Sequence, residues 1–245
     1  MDHGPYYRII PGSENAVLLI HGICGSPAHF RDLVPLIPED WSVRNILLDG
    51  HSGSVEEFGR SSMEKWKTQV EKLLDKLFRE HTRVFLVSHS MGTLFAIQGA
   101  IAHPDRVAGL FLLAPPLRPY VPFSTVGTCL RVAWGDLRPD DAAAWAMRND
   151  TGIRMTRKFW KYIPWAPRMV ELLAECSRVR KILPGLQVRT LAFLSRQDEL
   201  VSIRTAKDLQ KNPAIRTVIL EDSGHFAYGP EDTKQLQEAF TEFLA

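Results

Sequence analysis

A serine with small neighbours follows an apolar run in the middle of the chain. The run Val84 to Val87 leads into the pentapeptide Ser88-His89-Ser90-Met91-Gly92, and helix-compatible residues come next. A nucleophile on such a strand-to-helix turn needs small residues two positions before and after it, because bulky side chains would collide across the turn. The helix N-terminus would also favour developing negative charge. Ser90 is therefore the predicted nucleophile. The alternative is a serine-rich turn that only caps the helix.

A base and an acid are expected further along, in the chain order serine, acid, histidine. His225 lies in the loop after the last predicted strand, at the same edge of the sheet as Ser90, and is the predicted base. Asp198 follows the strand Thr190 to Leu194 and is the predicted acid, which would fix the imidazole tautomer and stabilise the imidazolium. Two rivals are Glu199, expected to turn to solvent, and Asp222, whose tight spacing from the histidine gives poor geometry.

Donors for an oxyanion are expected from the loop after the first long apolar run. His21-Gly22-Ile23-Cys24-Gly25-Ser26 follows Ala16 to Ile20, and its glycines permit close backbone approach to the nucleophile. The predicted donors are the backbone N–H groups of Ile23 and Met91. Gly22, Cys24 and His89 are predicted to line the substrate pocket beside them.

The remaining histidines give no sign of a metal site. No HExxH motif and no cluster at ligand spacing occurs, so a metal site is not expected. His21 and His51 are interpreted as structural, and His89 as pointing the other way around the turn. The histidines expected to be solvated are His3, His29, His81 and His103.

Short apolar runs alternate with amphipathic stretches along most of the chain. This alternation predicts an α/β fold with a mostly parallel central sheet covered by helices on both faces. The predicted strands are 16–20, 43–48, 84–87, 107–113, 190–195 and 216–220, and the predicted helices are 26–37, 62–80, 94–102 and 231–243.

The stretch from 117 to 186 breaks the alternation. It has seven prolines at or next to it and four of the six tryptophans, and no convincing strand. We expect a core of residues 1–116 and 187–245 with a mostly helical insertion between its two parts, here called the cap. Trp134, Trp145 and Trp160 are predicted to line an apolar pocket under that cap. The alternative is that these tryptophans only pack the core of the insertion.

The motifs HGICGS, SHSMG, QDELV and SGHF, in this order and spacing, resemble the α/β-hydrolase superfamily. The resemblance is closest to its small carboxylesterase, monoacylglycerol lipase and serine aminopeptidase-like branch, and it covers the chain from about residue 16 onward except the cap. It implies Ser90, Asp198 and His225 as a triad, Ile23 and Met91 as oxyanion donors, and a cap over the pocket. It also implies that no cofactor is needed, because acyl transfer in this superfamily uses only side chains and backbone amides. The chain departs from the pattern at Ser88, where the motif usually has glycine.

The expected reaction is hydrolysis of a carboxylic ester through an acyl-enzyme, with a short-to-medium acyl, monoacylglycerol or aryl ester as substrate. One alternative keeps the triad for amides, C–C bonds or acyl transfer. An aminopeptidase would need a cap carboxylate to hold a free amine, and the available ones are Asp140, Asp141, Glu171 and Glu175. A second alternative is a catalytically idle ligand-binding protein on the same fold.

Composition limits the partners. The 245 residues are 45% apolar and 24% charged, with a formal net charge of +2, which is typical of one soluble globular domain and gives no basic stripe for nucleic acid. The three cysteines are widely spaced, which favours free thiols in a reducing compartment. We therefore expect a cytoplasmic protein without membrane insertion that acts on a small-molecule ester.

Overall fold

A single sheet of seven strands organises the chain. The computed structural model describes residues 3–120 and 123–245. The strands lie in the order β1-β3-β2-β4-β5-β6-β7, and every neighbouring pair is parallel except the antiparallel pair of β1 with β3. The α/β class and the mostly parallel sheet predicted from the sequence are confirmed. The strands are β1 Tyr6–Arg8, β2 Asn15–Ile20, β3 Ser42–Ile46, β4 Arg83–His89, β5 Val107–Leu113, β6 Thr190–Ser195 and β7 Ile215–Leu220.

Helices cover both faces of this sheet. Alternate strand residues belong to two buried clusters, because successive side chains of a strand point to opposite faces. One cluster contains Trp66, and the other contains Phe111. The helices are α1 Val55–Gly59, α2 Met63–Glu80, α3 Met91–Ala102, α4 Phe123–Trp134, α5 Ala142–Asp150, α6 Ala166–Ile182, α7 Thr205–Leu209 and α8 Pro230–Leu244.

Local signals explain most helix boundaries. The Ser62 side chain accepts the Lys65 N–H and caps α2, as expected for a helix start after serine. The predicted helix 26–37 is wrong. This stretch forms two short 3-10 helices, Pro27–Phe30 and Val34–Leu36, because Pro35 cannot continue the backbone hydrogen bonds of a longer helix.

The segment 117–186, which connects β5 with β6, contains α4, α5, α6 and the 3-10 helix Phe159–Trp165. Residues 121 and 122 of this segment lie outside the described residues. Hydrogen bonds join its first residues to the loop after β6: the Tyr120 N–H donates to the Leu200 carbonyl, and the Ser202 N–H to the Arg118 carbonyl. Among the described residues, no helix has the length and apolar character required to cross a membrane.

Candidate active site

Ser90 lies on a strained turn between β4 and α3. Its φ of 50° and ψ of −123° are unusual for a residue with a side chain. A Cβ on Gly92 would come within 2.2 Å of the Ile20 carbonyl oxygen, so only glycine fits there. Ser88 is fully buried, and its hydroxyl has no partner among the described residues. The turn therefore requires glycine two residues after Ser90, and it accommodates serine two residues before Ser90.

Three side chains from three loops come together at this turn. His225 Nε2 lies 3.0 Å from Ser90 Oγ, and its Nδ1 lies 2.8 Å from Asp198 Oδ2. All three residues are buried, with Asp198 the most exposed at 9%. A carboxylate only accepts, so Nδ1 carries the proton and Nε2 is free to accept one from the serine. This geometry is that of a nucleophile, a base and an orienting acid.

The loop after β6 fixes the acid. Asp198 Oδ1 accepts the backbone N–H groups of Leu200 and Val201 at 2.8 and 2.6 Å, which leaves Oδ2 for the histidine. Glu199 does not turn freely to solvent as expected, since its Oε2 accepts the backbone N–H of His225 at 2.7 Å. The carboxylate of Asp198 thus holds the ring of His225, and the carboxylate of Glu199 holds its backbone.

The pKa of His225 reflects opposing influences. Burial lowers it most strongly, but the negative charge of Asp198 and the hydrogen bond to it raise it, and Glu199 and Asp150 add to the rise. The result is a pKa above the ordinary value for histidine. An elevated pKa makes the imidazole a stronger proton acceptor, as general-base catalysis requires.

His21 orients the loop that follows β2. The Leu48 N–H donates to His21 Nε2 at 3.0 Å, so the His21 proton is on Nδ1, which donates to the Gly22 carbonyl at 2.8 Å. Burial, with a smaller effect of His51, lowers the pKa of His21 and keeps it neutral. The Gly22 carbonyl and the Ile23 N–H belong to one planar peptide and point in opposite directions, so fixing one fixes the other.

Two backbone N–H groups in the segments around Ser90 have no hydrogen-bond partner among the described residues. Gly22 packs so closely that a Cβ there would lie 2.8 Å from Ser90 Cβ. Within the described chain, neither the Ile23 N–H nor the Met91 N–H, at the first position of α3, has a hydrogen-bond acceptor. Cys24 follows at φ 60°, half-buried, and burial raises the pKa of its thiol, which stays protonated.

A cluster of histidines behind the base was not expected from the sequence. His29 was expected to be solvated, but its side chain is only 3% exposed, and its Nδ1 donates to Asp150 at the end of α5. Its ring stacks on that of His89, with centroids 3.7 Å apart. His89 does not point away, since its Nε2 donates to the His225 carbonyl at 3.1 Å. No local sequence pattern marks this cluster, because Asp150, His29 and His89 lie in three separate parts of the chain.

The predicted tryptophan lining is not seen. Trp134, Trp145 and Trp160 are 44%, 43% and 53% exposed. In the 3-10 helix Phe159–Trp165, residues three apart share a face, so Tyr162 and Trp165 turn inward together while Trp160 and Ile163 turn out. Phe159 opens the row of Tyr162 and Trp165 but is exposed at the start of the helix. Trp165 packs on Phe58 with centroids 4.4 Å apart.

Residues 17–236 match the model of a protein family described as the alpha/beta hydrolase family. The chain belongs to the alpha/beta hydrolase family. The matched residues include the turn with Ser90, Asp198 and His225, and they span most of the chain. The family predicted from the sequence motifs is thereby confirmed.

Solved structures of similar fold cover nearly the whole chain of this alpha/beta hydrolase. One comes from work on LipS and LipT, metagenome-derived lipolytic enzymes, at a TM-score of 0.74 and 19% identity, covering 98% of this chain and 97% of the other. A monoacylglycerol lipase of Paleococcus ferrophilus matches at a TM-score of 0.71 and 17% identity, covering 100% and 98%.

Curated relatives match over shorter segments. A pimeloyl-[acyl-carrier protein] methyl ester esterase of Neisseria meningitidis is 31% identical over 107 residues, which are 44% of this chain and 39% of that protein. An abhydrolase domain-containing protein of Schizosaccharomyces pombe is 27% identical over 126 residues, 45% and 34% of the two chains. The matched segments thus span well under half of these relatives.

Proposed function

We propose that the protein is a serine hydrolase of carboxylic esters. The observation that carries this proposal is the pair of hydrogen-bond distances from His225 to Ser90 and to Asp198, 3.0 and 2.8 Å, with the serine at the tip of a strained turn. The esterase among the curated relatives and the lipolytic enzymes of similar fold support it.

The reaction would proceed through an acyl-enzyme. Ser90 Oγ attacks the ester carbonyl while its proton passes to His225 Nε2, and Asp198 stabilises the imidazolium. The backbone N–H groups of Ile23 and Met91 donate to the oxyanion. The imidazolium then protonates the leaving alcohol. A water molecule, deprotonated by the same histidine, releases the acid and restores the serine.

The substrate is proposed to present an uncharged acyl or aryl group. Tyr162 and Trp165 of the segment 117–186 pack against the same hydrophobic cluster as Cys24 of the loop that is proposed to supply the oxyanion donors. We propose this segment as a cap over the site, as its attachment to the loop of Asp198 supports: Thr125 Oγ1 donates to the Glu199 carbonyl at 3.0 Å.

Amide hydrolysis is the weaker candidate. Of the carboxylates that could hold a free amine, Glu171 pairs with Arg168 and accepts the Met63 N–H, and Asp141 caps α5 and pairs with Arg131. Asp140 is exposed, and Glu175 is buried 3.6 Å from Arg178. We expect p-nitrophenyl esters to be hydrolysed with a higher kcat/KM than aminoacyl p-nitroanilides.

Serine-directed labelling tests the mechanism. A fluorophosphonate should add to Ser90, read by intact mass, and Ser90→Ala should abolish the adduct. Ser90→Ala and His225→Ala should each lower kcat for a p-nitrophenyl ester by roughly 10⁴ to 10⁶, and Asp198→Asn by about 10⁴. The three residues act as one unit, so a double variant should be no slower than the worse single one.

Two controls are matched to these variants. Ser88→Ala changes the neighbouring serine of the same turn and should keep both labelling and turnover. Asp222→Asn changes the rival carboxylate and should leave kcat near that of the wild type. Labelling that persists in Ser90→Ala, or loss of turnover in Asp222→Asn but not in Asp198→Asn, would show that the assignment is wrong.

A further inference from the structure

The positive charge of the protein is concentrated on the segment 117–186. That segment has twelve Lys and Arg residues against six Asp and Glu, whereas the whole chain has a formal net charge of only +2. The rest of the chain is therefore net acidic. Between Asp150 and Glu171 all charged residues are basic: Arg154, Arg157, Lys158, Lys161 and Arg168.

Exposed apolar side chains lie among these basic residues. Residues 157–160 are four consecutive exposed positions, Arg-Lys-Phe-Trp. Phe159 is 70% exposed and its ring contacts that of Trp160 edge to face, while Ile163 is 69% exposed. Arg157 Nε donates to the Trp134 carbonyl at 3.1 Å and so links this stretch to the end of α4. The basic aromatic surface, as we call it, consists of Trp134, Arg157, Lys158, Phe159, Trp160 and Ile163.

The inner face of the 3-10 helix is already occupied by packed side chains. On the inner side of the same 3-10 helix, Tyr162 and Trp165 pack edge to face with ring centroids 5.0 Å apart, and Trp165 Nε1 donates to the Val55 carbonyl at 2.7 Å. Burying Trp160 or Ile163 as well would require this packing to be broken. Large apolar side chains that stay exposed in a group mark an interaction site.

The charge of the surface is not cancelled by its acidic neighbours. Glu56 pairs with Lys161, and Glu57 lies 3.6 Å from Arg154. In the described parts of the chain, no carboxylate lies within ion-pair distance of Arg157 or Lys158. These two cations therefore remain available to an anionic partner.

We propose that the basic aromatic surface binds the protein peripherally to anionic phospholipid bilayers. Aromatic rings favour the boundary between headgroups and acyl chains, and Lys and Arg are attracted to the negative surface potential of anionic lipids. A second copy of the chain fits less well, because a two-fold contact would bring Arg157 and Lys158 close to their own copies.

Such binding would bring the candidate site close to lipid. Tyr162 and Trp165 on the inner face of this helix pack against the same hydrophobic cluster as Ile23 and Cys24 of the loop after β2. The helix that would contact lipid therefore shares its apolar core with the loop that is proposed to supply the oxyanion donors. Binding itself requires no residue of the triad, so it is independent of the proposed function.

Vesicle flotation tests the proposal. The wild type should float with phosphatidylcholine vesicles that contain 30 mol% phosphatidylglycerol and not with pure phosphatidylcholine, and salt should weaken binding. Lys158→Glu should lower the partition coefficient by about tenfold or more, and Phe159→Ser with Trp160→Ser should lower it by a similar factor. Soluble p-nitrophenyl acetate should be hydrolysed at the wild-type rate by these variants, and circular dichroism should show the same fold.

Matched substitutions elsewhere serve as controls. Lys72→Glu on α2 makes the same charge change, and Tyr6→Ser removes another exposed aromatic ring, and both should bind vesicles like the wild type. Equal binding to neutral vesicles, or variants that bind like the wild type, would overturn the proposal. A wild type that is dimeric by light scattering, with monomeric Phe159→Ser and Trp160→Ser variants, would overturn it in favour of self-association. If p-nitrophenyl esters are not cleaved, only the proposed function fails.

Discussion

His225 is the residue whose ionisation should control the rate. The base must be neutral to accept the serine proton, so kcat/KM should rise with pH through the pKa of the free enzyme. Because Asp198 and Glu199 raise that pKa above the ordinary value, the midpoint should lie above about 6.5. The protein should therefore lose activity as the pH falls through this midpoint. A pH profile of p-nitrophenyl ester hydrolysis measures the midpoint.

Glu199→Gln tests the cause of this elevation. The amide oxygen of glutamine can still accept the backbone N–H of His225, but the negative charge of the Glu199 carboxylate is removed. The midpoint should therefore move to lower pH with little loss of the plateau rate. Glu231→Gln, on an exposed position of α8, should not move it. An unchanged midpoint in Glu199→Gln would mean that Glu199 acts only as a backbone acceptor.

Three elements meet behind the base. Asp150 ends α5, His29 lies in the 3-10 helix Pro27–Phe30, and His89 ends β4. The hydrogen bond to Asp150, the stacked rings and the bond to the His225 carbonyl connect the segment 117–186 to the backbone of the base. Asp150 is therefore expected to act as a positioning residue, through the histidines and not on substrate.

Asp150→Asn should lower kcat by between about ten- and hundredfold while KM changes less, because small displacements of a catalytic group are costly. Asp150 also raises the pKa of His225, so the midpoint of the pH profile should fall, an effect that a purely structural role would not produce. Asp140→Asn, an exposed carboxylate just before α5, should change neither. A variant with a lower melting temperature but wild-type kcat and midpoint would show that the connection is structural only.

Elements were predictable where one physical signal dominated. The strand Thr190–Ser195 was predicted to the residue because a buried strand leaves an uninterrupted apolar run, and Ser62 marked the start of α2. The triad candidates were found because each follows a strand at one sheet edge. The direction of Glu199, and the burial of His29, depend on partners distant in sequence, which no local pattern contains.

The tryptophans show a different limit. Composition indicated that the segment 117–186 is rich in aromatic residues, but it could not indicate which side of each helix faces inward. The short 3-10 helix turns Trp165 toward Phe58 and leaves Trp160 outside, and a helix of that kind has no strong sequence signature. The antiparallel strand β1 was missed for a similar reason, since three residues give too short a pattern.

At the scale of the whole molecule, buried neutral histidines link stability to pH. Burial lowers the pKa of His21 and His89 far below the ordinary value and that of His51 to about 4. In the unfolded chain each of these histidines has a pKa of about 6.5. Below that pH the unfolded state binds more protons than the folded state, so stability falls as pH falls. Because the pKa of His225 is raised, its ring is protonated below that pH in both the folded and the unfolded state. His225 therefore does not counteract the decrease in stability.

The free energy of unfolding should therefore decrease by up to about 4 kcal/mol per pH unit below pH 6.5, about 1.4 kcal/mol for each of the three histidines. Urea unfolding at pH 5.0 to 7.5, above the range of most carboxylates, measures this slope. His51→Gln keeps a donor for the Asp49 carbonyl and removes one titrating group, so its slope should be smaller by about 1.4 kcal/mol per unit. His103→Gln, on an exposed position, should keep the wild-type slope. A slope that His51→Gln leaves unchanged would mean that His51 takes up its proton in the folded protein, and that the ring packed against Phe58 and Trp66 is hydrated.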